Sequence, residues 1–178
     1  MGSTVPSHET VEPGKTLIAD VASAGELLYA PRKLRLLVGA NSVCVRDPGG
    51  RLIWLETDRL SAFTAADGQV RIVHHEDETT LVPRDTGAEA RALASLNAFR
   101  AWIDARSESA PVPTEPYLGR PSNGLTLSTE DGRSTAITRD LETGIILSAR
   151  GRSLRGHFEL QVRSVEIRES TPDELAPV

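Results

Sequence analysis

The sequence has little cysteine, few aromatic residues and no long apolar run. Cys44 is the single cysteine in 178 residues, so no internal disulfide can form and a disulfide-based scaffold is excluded. Aromatic residues make up 4% of the chain, which leaves few rings on which nucleic-acid bases could stack. A core must therefore be built mainly from leucine, valine, isoleucine and alanine.

Segments that could enter a membrane are also missing from the sequence. No stretch approaches the roughly 18 consecutive apolar residues of a membrane-spanning helix. Residues 1–15 lack the basic start and apolar centre of a secretory leader. Together with the single cysteine, these features predict a cytoplasmic location and no integral membrane segment.

Charge and motif content argue against nucleic-acid binding and catalysis. The net charge is -5, and no part of the chain has the strong positive excess that phosphate-backbone binding needs. No nucleotide-binding glycine loop or nucleophile elbow occurs. His74 and His75 are adjacent, and neighbouring strand residues point to opposite faces. The sequence therefore predicts no enzyme, no cofactor and no metal site.

One stretch, residues 85–107, has a sustained helical period. Its apolar residues recur at spacings of four, three and four, which places them on one helix face: Ala92, Leu96, Phe99 and Ile103. Trp102 lies at the edge of this stripe, where it either packs in the core or is an exposed interface anchor. We predict an amphipathic helix that covers a sheet.

Alternating apolar residues predict strands on both sides of this helix. Short alternating runs and glycine-containing turns recur about every ten residues between residues 33 and 82, as in an antiparallel meander. A second set of short strands follows residue 125. In its last strand the apolar parity changes, which predicts a bulge near Arg163 and Ser164. The predicted fold class is mainly β, a meander or partly open barrel closed by one helix, followed by a small antiparallel unit.

These patterns predict five segments. Residues 1–15 form a flexible tail, and residues 16–107 form the meander with its closing helix. Four prolines make residues 108–124 a linker, because proline lacks the amide donor that helices and central strands need. Residues 125–169 form the small β-domain, and residues 170–178 form a second tail.

The first of these units resembles the pleckstrin-homology superfold, especially its divergent bacterial forms. The resemblance covers residues 27–107 and is one of layout: the strand 52–55, the short stretch 60–63, the hairpin 68–72 and the closing helix. It implies a partly open barrel, plugged at one end by the helix, that binds partners or anionic headgroups and performs no chemistry.

Two groups of basic residues are candidate binding sites. Members of the resembled family that bind lipid carry bases on the first strand and in the loop after it. Here the strand carries Arg32, Lys33 and Arg35, whereas the loop 39–42 has none. The second group is Arg150, Arg152 and Arg155 on a glycine-flanked hairpin, where guanidinium groups either bind phosphate or carboxylate or are merely solvated.

Two functional hypotheses follow. The first is a non-catalytic scaffold that acts through a pleckstrin-homology-like domain and a β-rich assembly region, with a protein partner and homo-oligomer formation. The alternative is a binding module for an anionic ligand, namely a phosphorylated headgroup, nucleotide or nucleic acid, held by the exposed arginines. Nucleic acid is the least favoured of these because the chain is acidic.

Overall fold

The structure is a computed structural model that describes residues 11–25, 32–40, 42–57, 59–65, 67–74, 111–128, 134–153, 156–171 and 174–175. Its regular elements are eleven β-strands: β1 (Lys15–Gly25), β2 (Arg32–Val38), β3 (Ser42–Arg46), β4 (Leu52–Thr57), β5 (Leu60–Thr64), β6 (Val70–His74), β7 (Val112–Tyr117), β8 (Arg120–Ser128), β9 (Ser134–Asp140), β10 (Ile146–Ser153) and β11 (Gly156–Glu169).

All eleven strands belong to one antiparallel sheet. Their spatial order is β6-β5-β4-β3-β2-β1-β11-β10-β9-β8-β7. The first strand therefore lies beside the last in the middle of the sheet, with a register that runs from Lys15↔Glu169 to Gly25↔Phe158. Consecutive strands are hairpin neighbours on either side of this central pair, and β6 and β7 form the two edges.

One face of the sheet, which we call the core face, carries the main hydrophobic core. Successive strand residues point to opposite faces, so alternate residues share a face. Leu17 and Ala19 on β1 point to the core face, as do Leu34 and Leu36 on β2. The cluster takes residues from both sides of the central pair, including Val45, Trp54, Leu125, Ile137, Leu147 and Leu160. Trp54 and Phe63 stack there with ring centroids 5.5 Å apart. A shared core ties the two halves of the sheet together.

The opposite face, the outer face, carries a shorter apolar row. Register neighbours on five successive strands form it: Ile18, Leu37, Cys44, Leu55 and Ala62. All five side chains are buried, and Leu175 packs against this second cluster. The sheet is therefore covered on both faces across β1 to β5.

The longest strand, β11, contains the bulge that the sequence predicts. Its register with β1 shifts between Ser164 and Val162, which leaves Arg163 as the extra residue. The hydroxyl of Tyr117 on edge strand β7 donates to the carbonyl oxygen of Val162, at 2.8 Å. Because β8, β9 and β10 separate β7 from β11 in the sheet, this contact requires strong curvature.

The structure confirms the mainly β, antiparallel class in its coarse form. Strands predicted around residues 34–38, 43–45, 51–55 and 70–73 are present as β2, β3, β4 and β6. Residues 16–29, whose apolar pattern fits either one strand or a short turn of helix, overlap β1. The predicted helix at 85–107 and the strand at 80–82 lie outside the described residues.

The expected pleckstrin-homology-like barrel is wrong. Such a barrel would close within residues 27–107, whereas β2 pairs with β1, and β1 pairs in turn with β11. The sheet thus continues into the C-terminal strands, because the free edge of β1 is satisfied by β11 and not by a strand of its own half.

Several predicted boundaries fall inside the sheet or its core. The proline-rich stretch 108–124 contains β7 and the start of β8. Val11 of the first predicted tail is buried, and Leu175 of the second packs on the outer face. Whether the two halves fold as separate domains stays a prediction, since a shared sheet does not test it.

Candidate functional site

A groove on the outer face is the candidate site among the described residues. Its volume is about 480 Å³, and we call it the basic groove, defined by its lining residues Asp20, Val21, Ala22, Lys33, Leu34, Arg35, Pro48 and Arg163. It lies across β1 and β2, between the β3–β4 turn and the bulge of β11.

Strand register sets the position of each charged side chain in the basic groove. Asp20 faces Arg35, and Ala22 faces Lys33, in the β1–β2 pairing. Alternation along β2 sends Lys33 and Arg35 to the outer face and buries Leu34, which is 2% exposed, on the core face. The strand is thus apolar on one side and cationic on the other.

Two further elements complete the groove. The β11 bulge adds the exposed Arg163, since the extra residue of a bulge is re-aimed relative to its neighbours. The turn after β3 adds Pro48, and this turn is closed by a hydrogen bond from the amide of Gly50 to the carbonyl oxygen of Asp47, at 3.0 Å.

The basic groove carries three cations against one carboxylate. Arg35 Nε donates to Asp20 Oδ1 at 3.3 Å, and Ser164 Oγ donates to Asp20 Oδ2 at 3.2 Å. Among the described residues, Lys33 and Arg163 have no carboxylate within ion-pair distance. Asp20 is therefore already paired within the groove, and the cations of Lys33 and Arg163 remain available to a ligand.

The lining of the groove combines charged and apolar side chains. Its ionisable groups are Asp20, Lys33, Arg35 and Arg163. Asp20 already accepts two hydrogen bonds. Within the described ranges, no cluster of three histidine, cysteine or acidic side chains is placed to hold a metal ion.

The structure brings together only part of the predicted site. Lys33 and Arg35 line the basic groove, and Arg32 begins the same strand. Arg150 and Arg152 lie on β10, which β1 and β11 separate from β2. Arg155 and Trp102 lie outside the described residues. The binding roles given to these residues stay predictions.

Arg150 lies outside the groove and forms an ion pair with Glu159. Its Nη2 lies 3.3 Å from Glu159 Oε1, and 76% of its side chain is exposed. Exposed pairs of this kind contribute little to stability.

Sequence reasoning missed Asp20 and Arg163 as site residues. Asp20 had no signal, because its strand could not be distinguished from a turn of helix. Arg163 did have one, since the parity change in β11 predicts the bulge. What the sequence did not show is that β11 lies beside β1 and so brings Arg163 to Lys33 and Arg35.

Comparisons of the sequence identify no relative: no family model matches it, and no curated protein sequence matches it. Comparisons of the structure do find similar folds. An uncharacterized conserved protein from Thermus thermophilus has a TM-score of 0.53 at 13% identity, over 91% of this chain and 84% of that one. MucB has a TM-score of 0.50 at 13% identity, over 90% of this chain and 56% of the MucB chain.

A third similar structure is a putative outer membrane lipoprotein-sorting protein domain from Vibrio parahaemolyticus, with a TM-score of 0.41 at 9% identity. It covers 93% of this chain and 91% of that domain. At these identities the likeness concerns the fold alone. The fold class is therefore one large antiparallel sheet, similar to the folds of the Thermus protein and MucB. This chain spans little more than half the length of MucB.

These findings correct the predicted family and function. The similar structures are not pleckstrin-homology domains, so the scaffold function inferred from that family is wrong. The predicted alternative, a module that binds a phosphorylated headgroup, nucleotide or nucleic acid through exposed arginines, is corrected with it. Short strands, hairpins and one helix occur in both folds, and the layout therefore could not distinguish them.

The predicted cytoplasmic location is corrected as well. MucB, whose fold is similar at a TM-score of 0.50, is also solved in complex with MucA(peri), which does not support a cytoplasmic location. The single Cys44 cannot form an internal disulfide in any compartment, so cysteine content does not indicate where the protein is located. In the described parts of the chain, no helix has the length and apolar character to cross a membrane.

Proposed function

We propose that this chain is a non-catalytic domain that binds a segment of a partner protein in the basic groove. The observation that carries the proposal is the arrangement of Lys33 and Arg163 around Asp20 and Arg35, with an apolar lining beneath them. A peptide that pairs an acidic side chain with an aliphatic one would meet both kinds of surface.

The size of the groove suits a short peptide segment. Its volume of about 480 Å³ lies within the roughly 300–1,000 Å³ of typical ligand pockets. Ala22 and Pro48 offer apolar contact, while the carboxylate of a bound segment could accept hydrogen bonds from Lys33 and Arg163. Such pairs mainly confer specificity and fast association.

A protein sharing the fold supports the kind of partner. MucB from Pseudomonas aeruginosa is solved in complex with MucA, so MucB binds another protein. This analogy concerns the class of ligand only. The mixture of cationic and apolar lining residues in the groove supports a binding role for it.

Selection of short random peptides displayed on phage tests the proposal. We expect the full chain to enrich peptides that carry aspartate or glutamate next to aliphatic residues. Synthetic fluorescent copies should then bind at least about tenfold more weakly to a Lys33→Glu, Arg163→Glu double variant, because both cations become repulsive. Fluorescence anisotropy measures the affinity, which should also fall as salt rises.

The matched control is an Arg59→Glu, Arg71→Glu double variant. It makes the same change of charge at two exposed positions outside the groove, and its affinity should stay close to that of the wild type. No enriched peptide, enriched peptides without acidic residues, or equal losses in both double variants would contradict the proposal.

A further inference from the structure

The two cations of the basic groove that lack a carboxylate partner among the described residues lie on opposite sides of one strand. Lys33 is on β2 and Arg163 is on β11, and both of these strands pair with β1. Between them, Ala22 of β1 faces Lys33 on one side and Gln161 on the other. The groove therefore has a cationic wall on each side of a floor that β1 forms.

The floor of the groove is apolar at Ala22 and acidic at Asp20. Ala22 carries only a methyl group, which leaves room for a ligand side chain above the strand. Asp20 lies two residues earlier on the same face and accepts hydrogen bonds from Arg35 and Ser164, at 3.3 and 3.2 Å. An acidic ligand side chain above this floor would be repelled by Asp20, whereas an aliphatic side chain would not.

Strand geometry sets the distance between the two cationic walls. Neighbouring strands lie about 4.8 Å apart, so the backbones of Lys33 and Arg163, two strand spacings apart, are separated by about 10 Å across the sheet. Arg163 is also displaced along β11 from Gln161, the register partner of Ala22. This displacement lengthens the separation to about 11–12 Å.

The spacing of side chains in an extended peptide matches this distance at one interval. An extended chain rises about 3.3 Å per residue, and alternate residues share a face. Residues i and i+2 are then about 7 Å apart, which is too short, and residues i and i+3 point to opposite faces. Residues i and i+4 share a face at about 13 Å, so their side chains can reach both walls while residue i+2 points to the floor.

We propose that the basic groove binds an extended segment of a partner protein in which acidic residues at i and i+4 flank an aliphatic residue at i+2. The two carboxylates accept hydrogen bonds from Lys33 and Arg163, and the aliphatic side chain packs on Ala22 beside Pro48. Asp20 disfavours an acid at the central position. The inference rests on the peptide-binding function proposed above and fixes the residue positions that this function leaves open.

The experiment compares two synthetic peptides of equal composition and charge, each with a fluorescent label, on the full-length chain. Ala-Glu-Ser-Val-Ser-Glu-Ala has its acids at i and i+4, and Ala-Ser-Glu-Val-Glu-Ser-Ala has them directly beside the valine. Fluorescence anisotropy measures both affinities. We expect the first peptide to bind at least about fivefold more tightly, because in the second the acids and the valine point to opposite faces.

Variants of the two walls test whether the preference arises in the groove. Lys33→Glu and Arg163→Glu should each reduce the difference between the two peptides to less than about twofold, because only one acid then has a cation to meet. The matched control is Arg59→Glu, which makes the same charge change at an exposed position outside the groove. This variant should keep the full preference.

A third peptide tests the role of Asp20. Ala-Glu-Ser-Asp-Ser-Glu-Ala, with aspartate in place of the central valine, should bind the wild type more weakly than the valine peptide does. Asp20→Asn should narrow that gap by about threefold or more, since it removes the repelling charge from the floor. An unchanged gap would show that Asp20 does not select the central residue.

The outcomes separate this inference from the function on which it rests. If phage-selected peptides bind in the groove but the two isomeric peptides bind equally well, the spacing is wrong and the peptide-binding function stands. A preference that survives in Lys33→Glu and Arg163→Glu also overturns the spacing. If selection enriches no peptide, the function itself is overturned, and this inference with it.

Discussion

At the scale of single residues, Glu174 shows how contacts from separate parts of the chain set the properties of one carboxyl group. Burial by itself raises its pKa, but hydrogen bonds from Thr16, Arg168 and Thr171 favour the ionised form. The net result is a pKa below the ordinary value of 4.5. Thr16 lies at the start of β1 and Arg168 at the end of β11, which meet only because those two strands pair.

A Glu174→Gln variant should make stability less dependent on pH in the acidic range. Because the folded pKa is lowered, the ionised carboxylate stabilises the fold above the unfolded value, and this contribution is lost as pH falls through the folded pKa. We expect the variant to be less stable than the wild type at neutral pH, with a difference that shrinks as the pH falls below 4.5 and through the lowered pKa of Glu174.

Urea unfolding followed by circular dichroism at several pH values provides this measurement. A Glu169→Gln variant is the comparison, since Glu169 is largely exposed and its pair with Lys15 should contribute little. If the gap between wild type and Glu174→Gln were constant from neutral to acidic pH, the lowered pKa would not be the source of the stabilisation.

At the scale of elements, β7 shows that a proline-rich stretch can contain a strand. Pro113 and Pro116 lie in this strand, and proline cannot donate to a neighbouring strand. Proline is nonetheless tolerated on an edge strand, where one side has no ladder to complete. Because β7 is an edge of the sheet, a proline-rich stretch could still form a strand.

A Tyr117→Phe variant tests how β7 is held against the central strands. The change keeps the ring but removes the hydroxyl that donates to Val162 at the β11 bulge. We expect a loss of about 1 kcal/mol in the free energy of unfolding, the usual net value of one hydrogen bond. Chemical denaturation measures it, and an unchanged midpoint would mean that water replaces the contact without cost.

At the scale of the whole molecule, the central β1–β11 pair makes the two halves one structure. The core face draws on strands from both halves, and buried side chains such as Leu36 and Leu147 belong to the same cluster. A cavity made in one half should therefore lower the stability of the other half as well, because both halves pack around the same core.

A Leu147→Ala variant on β10 tests this coupling. We expect a loss of about 2–5 kcal/mol, seen as the same shift by circular dichroism and by the fluorescence of Trp54 on β4. The measurement is made in a Trp102→Phe background, so that the signal comes from Trp54. A shift in circular dichroism without one in fluorescence would show two independently folding domains, as the sequence predicts.

The sequence by itself determined the local features. Alternation placed β2, β3, β4 and β6 and separated the two faces of β2, and a change of parity located the bulge at Arg163. These features depend on neighbours within a few positions of the chain, and periodicity reports such neighbours directly.

Only the tertiary structure decided which strands meet. The pairing of β1 with β11 joins residues that lie far apart in the chain, and no local pattern encodes that choice. This pairing turned a predicted barrel into one continuous sheet and brought Arg163 to Lys33 and Arg35. It also placed Glu174 between Thr16 and Arg168. The physical reason is that the backbone hydrogen-bonding groups of one strand edge can pair with those of any other antiparallel edge. Burial in the shared core selects which edge becomes the partner.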